Sequence, residues 1–198
     1  MLADSGTAAC QRAELALAAD LPAGHRFDQL SMGMSHDFEI AVAEGAVVSP
    51  ADGKVIINEK LSQCDYYEGE CIKLSIFMTV FNVHVNRIVY DGTITDVNYH
   101  PGKFFSANLD KASRENEHNA LTLEGPGGQR MVVVQIAGLI ARRIVCGVQP
   151  GTTLVRGERF GMICFGSRLD VYLPPETAVT VNVGDKVAAG TSILGYLK

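Results

Sequence analysis

The sequence predicts a mainly β protein of the α+β class: a single compact domain of antiparallel, hairpin-rich sheets, with a short N-terminal helix and one short internal helix. Three observations predict it. Short runs rich in Val and Ile recur from Val47 onward. Asp52-Gly53, Asp91-Gly92 and Gly184-Asp185 punctuate them with tight-turn chemistry. Leu169-Asp170-Val171-Tyr172-Leu173 alternates apolar and polar side chains, the pattern of a half-buried strand.

Residues 1–43 read as an atypical extension. Within it, Ala8 to Leu21 predicts a short amphipathic helix with Leu15, Ala18 and Leu21 on one side. Glu14 and Asp20 argue against a membrane-surface helix, which favours basic residues on its polar side. Strands are expected at 54–58, 73–81, 83–89 and 93–98. A helix follows over 109–117, with Asn108 as its N-cap. Further strands are expected at 120–123, 131–136, 139–145, 160–165, 169–173, 178–183 and 193–197. No fixed-period repeat or low-complexity linker divides 44–198, which is read as one domain.

Composition narrows the classes. At 198 residues, with 47% hydrophobic and 20% charged side chains, the chain suits one domain with a sizeable core. A formal net charge of −5 argues against general nucleic-acid binding. The five cysteines are odd in number and scattered, which is no disulfide framework and fits a reducing, cytoplasmic setting. Cys64 and Cys71 have no matching second pair, so no zinc site is expected. No run reaches the roughly 18–20 apolar residues that span a bilayer. The longest, Met131 to Ala141, is interrupted by Gln135, and the N-terminus lacks the pattern of a signal peptide.

Three segments carry possible chemistry. Phe165-Gly166-Ser167 reads alone as a turn between strands, but glycine permits unusual backbone angles and a strained peptide exposes its carbonyl to the next serine. Ser49-Pro50-Ala51-Asp52-Gly53-Lys54-Val55 reads as a rigid turn into a strand, or as a positioned carboxylate. Phe81-Asn82-Val83-His84-Val85-Asn86-Arg87 places one histidine in a strand-like run, either a hydrogen-bonded core residue or a proton shuttle.

Taken in order, these segments with Pro101-Gly102-Lys103-Phe104, Gln135-Ile136-Ala137-Gly138, Ala141-Arg142-Arg143-Ile144 and Phe165-Gly166-Ser167-Arg168-Leu169-Asp170-Val171 resemble the short bacterial type of phosphatidylserine decarboxylase proenzyme. The resemblance covers about residues 45–198, which would be the catalytic domain. It implies a covalent pyruvoyl cofactor made from Ser167, with neither metal nor pyridoxal phosphate. Ser167 would be the cleavage nucleophile, Gly166 would supply the attacked carbonyl, and the products would be chains 1–166 and 167–198. The pyruvoyl ketone would take the serine amine of phosphatidylserine as a Schiff base and act as the electron sink for loss of carbon dioxide.

By the same resemblance, Asp52 supports self-cleavage and His84 is the base or proton donor. Longer relatives carry a second histidine where this chain has Arg87, so His84 is expected to serve both steps or to share them with another group. Arg142, Arg143, Arg87 and Lys103 are candidates for the substrate phosphate. His100 and His118 are expected to be structural or surface residues, His118 standing where Arg is commoner. The implied partners are phosphatidylserine, the cytoplasmic face of the membrane as a peripheral surface, and the chain's own two fragments as a heterodimer. A further symmetric dimer follows only from the general frequency of such assemblies. Relatives usually begin with an apolar anchor; residues 1–43 are polar and Ala-rich instead, which opens the questions of membrane attachment and of another substrate. A carrier domain is the rival outside enzymes, since Val183 to Gly190 resembles the hairpin of biotinyl and lipoyl carriers, but no Met-Lys-Met-like turn is present.

Overall fold

The computed structural model describes residues 45–109, 112–139, 143–163 and 166–198; the helix expected at 8–21 lies outside them, as does Arg142. Among the described residues, fourteen strands and one helix follow in order: β1 (Ala46–Val48), β2 (Gly53–Leu61), β3 (Cys71–Met78), β4 (Val85–Arg87), β5 (Gly92–His100), α1 (Ala112–Glu115), β6 (His118–Glu124), β7 (Arg130–Ile136), β8 (Ile144–Cys146), β9 (Thr153–Leu154), β10 (Arg159–Ile163), β11 (Ser167–Leu173), β12 (Ala178–Val179), β13 (Lys186–Val187) and β14 (Ile193–Tyr196). The fold is mainly β, and every pairing between these strands is antiparallel.

An eight-stranded sheet in the order β13-β2-β3-β11-β7-β6-β5-β9 forms the frame. Two three-stranded sheets accompany it, β1-β14-β12 and β4-β10-β8. The main core includes Leu74, Ile76, Leu121, Val133, Leu169 and Val171, all fully buried. A smaller cluster, with Ala112, Val132, Val134 and Tyr172, takes in the helix. Side chains alternate across a strand, so Leu169 and Val171 serve the first cluster and Tyr172 the second. Among the described residues, no helix is long and apolar enough to cross a membrane.

Several expectations shift. The alternating segment is not half-buried: all seven residues of β11 are buried, because β3 and β7 flank it and both faces are covered. Among the described residues the internal helix is Ala112–Glu115, and Asn108 Oδ1 accepts a bond from Ser106 Oγ at 2.7 Å. The chain leaves the helix at Asn116, whose side-chain amide is spent on Phe105 and Ala137. The strand expected over 83–89 shortens to Val85–Arg87, and that over 139–145 becomes Ile144–Cys146.

The Asp-Gly signals also work differently from a hairpin turn. Gly53 and Gly92 each open a strand without a positive φ. A β-carbon at either would overlap the carbonyl oxygen of Phe77 or Glu124 on the paired strand. Glycine is needed there for close backbone approach, whereas Gly184, at φ 105°, is a true turn residue.

Candidate active site

The chain passes from β10, which ends at Ile163 in a small sheet, to β11, which begins at Ser167 in the middle of the large one. Gly166 makes that transition at φ 75°, a conformation that L side chains adopt only with strain. Its N–H donates to His84 Nε2 at 3.2 Å. Ser167 is fully buried, and its Oγ has no hydrogen-bond partner among the described residues. A buried hydroxyl forgoes roughly 1–3 kcal/mol when left unmatched, so such an atom asks for a chemical reason.

His84 sits just before β4 and is held at two points. Its carbonyl accepts the N–H of Ile163 at 3.2 Å, and its ring meets the Gly166 amide. Accepting that N–H requires a lone pair on Nε2, which is the neutral imidazole. Burial holds the His84 pKa below its ordinary value, and a hydrogen bond with the Thr79 backbone opposes this only in part. A neutral ring with its lone pair on the Gly166 N–H is a proton acceptor one residue from Ser167.

Two sequence segments converge to fix β4. Gln135 on β7 donates through Nε2 to Asn86 Oδ1 at 2.8 Å and to the Val145 carbonyl at 3.2 Å. Its Oε1 accepts from Asn119 Nδ2 at 3.1 Å. Gln135 and Asn86 are fully buried and Asn119 nearly so, and the chain of amides ties β4 to β7 and β6. Its function is to hold the strand that follows His84.

Gly138, the last residue of the 135–138 segment, reaches the Gly166 carbonyl. A β-carbon at Gly138 would collide with the Gly166 carbonyl oxygen, so that oxygen lies directly against the Gly138 backbone. Ala107 borders the same spot, its Cβ 3.6 Å from the added atom. The 101–107 stretch is pinned there by Asn116, which receives the Phe105 N–H at 2.9 Å and donates to the Phe105 and Ala137 carbonyls at 2.8 and 2.7 Å. Gly102 permits this because a side chain there would strike the backbone of Asn116 and Glu117. Sequence reading quoted Gly102 and Gly138 within motifs but gave neither a task, and it left Asn116 aside.

Behind Ser167, on the opposite face of β11, stands a buried ion pair. Arg168 Nε and Nη2 donate to Asp170 at 2.5 and 3.0 Å, and both side chains are fully buried. Nη2 also reaches Ser75 Oγ at 2.9 Å, and Lys73 Nζ lies 3.6 Å from Asp170. This network anchors the start of β11 and was missed from sequence. Its signal was a charged pair two residues apart inside an apolar strand, which places both on one face.

The remaining candidates are spread out. Asp52 Oδ1 accepts the Ala189 N–H at 2.7 Å, and among the described residues no hydrogen bond or ion pair joins it to His84 or Ser167. Its charge is felt by Arg87, whose pKa burial and Arg159 lower while Asp52 raises it. Arg87 Nη1 donates to the Gly157 carbonyl at 2.7 Å. Lys103 pairs with Glu115 at 3.0 Å on the surface, and Arg143 is exposed. His118 is buried, with Nδ1 2.6 Å from the Asn116 carbonyl and Nε2 3.0 Å from the Tyr66 hydroxyl, and His100 stacks on it at 4.7 Å. Burial, with Asp170 next, pushes the Tyr66 pKa up to about 12.

Comparison with known proteins places this geometry in context. The family model for phosphatidylserine decarboxylase matches residues 37–195. A phosphatidylserine decarboxylase proenzyme of Syntrophus aciditrophicus is 55% identical over 152 residues, covering 77% of this chain and 71% of the relative. Proteins of the same name from Desulfotalea psychrophila and Nitrosomonas eutropha are 51% and 54% identical, over 77% and 80% of this chain and 71% and 73% of their own lengths.

Proposed function

The chain belongs to the phosphatidylserine decarboxylase family, and on that premise we propose that it is a self-processing pyruvoyl enzyme converting phosphatidylserine to phosphatidylethanolamine and carbon dioxide. One observation carries the reading: Gly166 at φ 75°, its amide on His84 Nε2, precedes a serine whose buried Oγ has no hydrogen-bond partner among the described residues.

The steps follow from these atoms. His84 accepts the Ser167 hydroxyl proton as Oγ attacks the Gly166 carbonyl carbon. The C–N bond breaks, the Ser167 nitrogen takes a proton, and an ester replaces the peptide. Loss of the Ser167 α-proton expels the Gly166 carboxylate and leaves a dehydroalanine. Water then replaces its nitrogen, ammonia departs, and residue 167 becomes a pyruvoyl group. The balance over the whole sequence is one water gained and one ammonia lost.

The positioned hydroxyl and the glycine that lets its carbonyl be reached fit this group. When formed, it supplies a ketone able to draw off the electrons released with carbon dioxide. His84 would then protonate the substrate carbon. Asp52 acts at longer range, through its charge on Arg87. Arg143 is the phosphate candidate among the described residues that is both exposed and close in sequence to Gly138. Residues 44–198 form the catalytic domain, and the protein works peripherally at the cytoplasmic face of a membrane.

Intact-mass measurement under denaturing conditions, with Ser167→Ala beside the parent, tests this. The parent should yield chains 1–166 and 167–198, the smaller blocked at its N-terminus, and the variant should stay whole. A folded parent that remains one uncut chain would sink the reading.

A further inference from the structure

Nine large apolar side chains are exposed among the described residues, and five of them, Val80, Phe81, Val83, Leu109 and Leu139, lie on three loops that meet at Gly166. The contacts establish the meeting. Val80 Cγ1 lies 3.6 Å from the position a Gly166 β-carbon would take, and Gly138, next to Leu139, lies against the Gly166 carbonyl. Ala107, two residues before Leu109, borders the same spot, its Cβ 3.6 Å from the position of a Gly138 β-carbon. Gly166 is therefore bordered by loops that carry hydrocarbon facing water.

The most prominent member is built, not loose. Phe81 is 95% exposed, at the tip of a turn in which Thr79 N and Oγ1 both donate to Asn82 Oδ1, at 2.8 and 2.7 Å. Asn82 N returns a bond to the Thr79 carbonyl at 3.2 Å. Val83, on the far side of the turn, is 60% exposed, and Leu139 on its own loop is 56% exposed. A fixed turn holding a phenylalanine in solvent needs a partner to cover it.

We propose that this rim is the surface by which the protein enters a phospholipid interface, Phe81 and Leu139 wedging among the lipids so that the residue-167 group meets a head group without the lipid leaving its layer. The occupant follows from continuity: under the function proposed above, on which this inference rests, the site these loops border acts on a phospholipid. Three separate tips suit insertion between acyl chains. The exposed Arg143, four residues after Leu139, adds a positive charge facing an anionic layer, against a chain whose net charge is −5.

The test uses the full chain and vesicles of phosphatidylcholine with phosphatidylglycerol, which contain no substrate. Phe81→Asp and Leu139→Asp are compared with the parent and with Val183→Asp, an exposed valine in the turn before β13. In co-sedimentation, each rim variant should weaken vesicle binding by about tenfold or more, and Val183→Asp should not. Self-cleavage, read by mass, and carbon dioxide release from a monomeric short-chain phosphatidylserine should both persist in the rim variants. A parent that does not bind vesicles, or rim variants that bind like the parent, would overturn the proposal. A parent dimer that Phe81→Asp dissociates while vesicle binding stays unchanged would overturn it too, giving the rim to a second copy. Loss of binding in rim variants of a protein that releases no carbon dioxide from any phosphatidylserine would support the rim while removing the decarboxylase reading.

Discussion

At the scale of single residues, the bond proposed to react is bordered by atoms that carry no charge. Gly138 bears no side chain, yet its backbone is the surface against which the Gly166 carbonyl rests. Gly138→Ala should displace that carbonyl and slow self-cleavage about a hundredfold, the scale of a misplacement near 1 Å. Electrophoresis of freshly refolded protein over time would show it as a persistent uncut band. His84 makes a second prediction. Its pKa lies below 6.5 because burial disfavours the imidazolium, so its base form survives to lower pH. The cleavage rate should fall off at a lower pH than an ordinary histidine base would give. Stability follows the same sign: the unfolded chain binds this proton more readily, so the contribution is full above 6.5 and is lost as pH falls through the folded value. The segments holding Ser167, Gly166 and His84 stood out in the sequence because their motifs occur in a fixed order, and the structure brings Gly166 and His84 together. The task of Gly138 was not, since a glycine in a string does not say which carbonyl it faces.

At the scale of the element, β11 shows why alternation was half a guide. The period of two placed Leu169 and Val171 on one face, as found, but a polar opposite face suggested exposure to water. That face is instead sealed by segments distant in sequence: Tyr66 packs on Tyr172 with ring centroids 5.4 Å apart, and Ser75 and Lys73 come from β3. Their arrival depends on strand order, which local pattern does not encode. The covered face makes Arg168 and Asp170 interdependent. Arg168→Met would leave a buried carboxylate without its main partner and should cost about 3–5 kcal/mol in urea unfolding. Pairing it with Asp170→Leu should recover much of that loss, because the uncompensated charge is then gone. If the single and double variants proved equally destabilised, the pair would be acting through packing alone. The hairpin-rich β class was legible at this scale too, while strands such as 83–89 were overcalled where turns serve the site.

For the molecule as a whole, the cut after Gly166 would divide the fold without dividing its sheets. The first fragment holds β1 to β10 and the second β11 to β14. β11 lies between β3 and β7, β13 pairs with β2, and β14 sits between β1 and β12. Each sheet except β4-β10-β8 thus mixes strands of both fragments. Processed protein should therefore elute as one species in native gel filtration and separate only in denaturant.

The central place of β11 has a thermodynamic consequence. Before the cut, unfolding is unimolecular, and its midpoint is indifferent to concentration. Afterwards the same contacts hold together two molecules, and unfolding becomes dissociation. The thermal midpoint of processed protein should rise with its concentration, while that of Ser167→Ala should stay fixed. Dilution, harmless to the precursor, becomes a denaturing force on the finished enzyme, and the seven buried residues of β11 are what resist it.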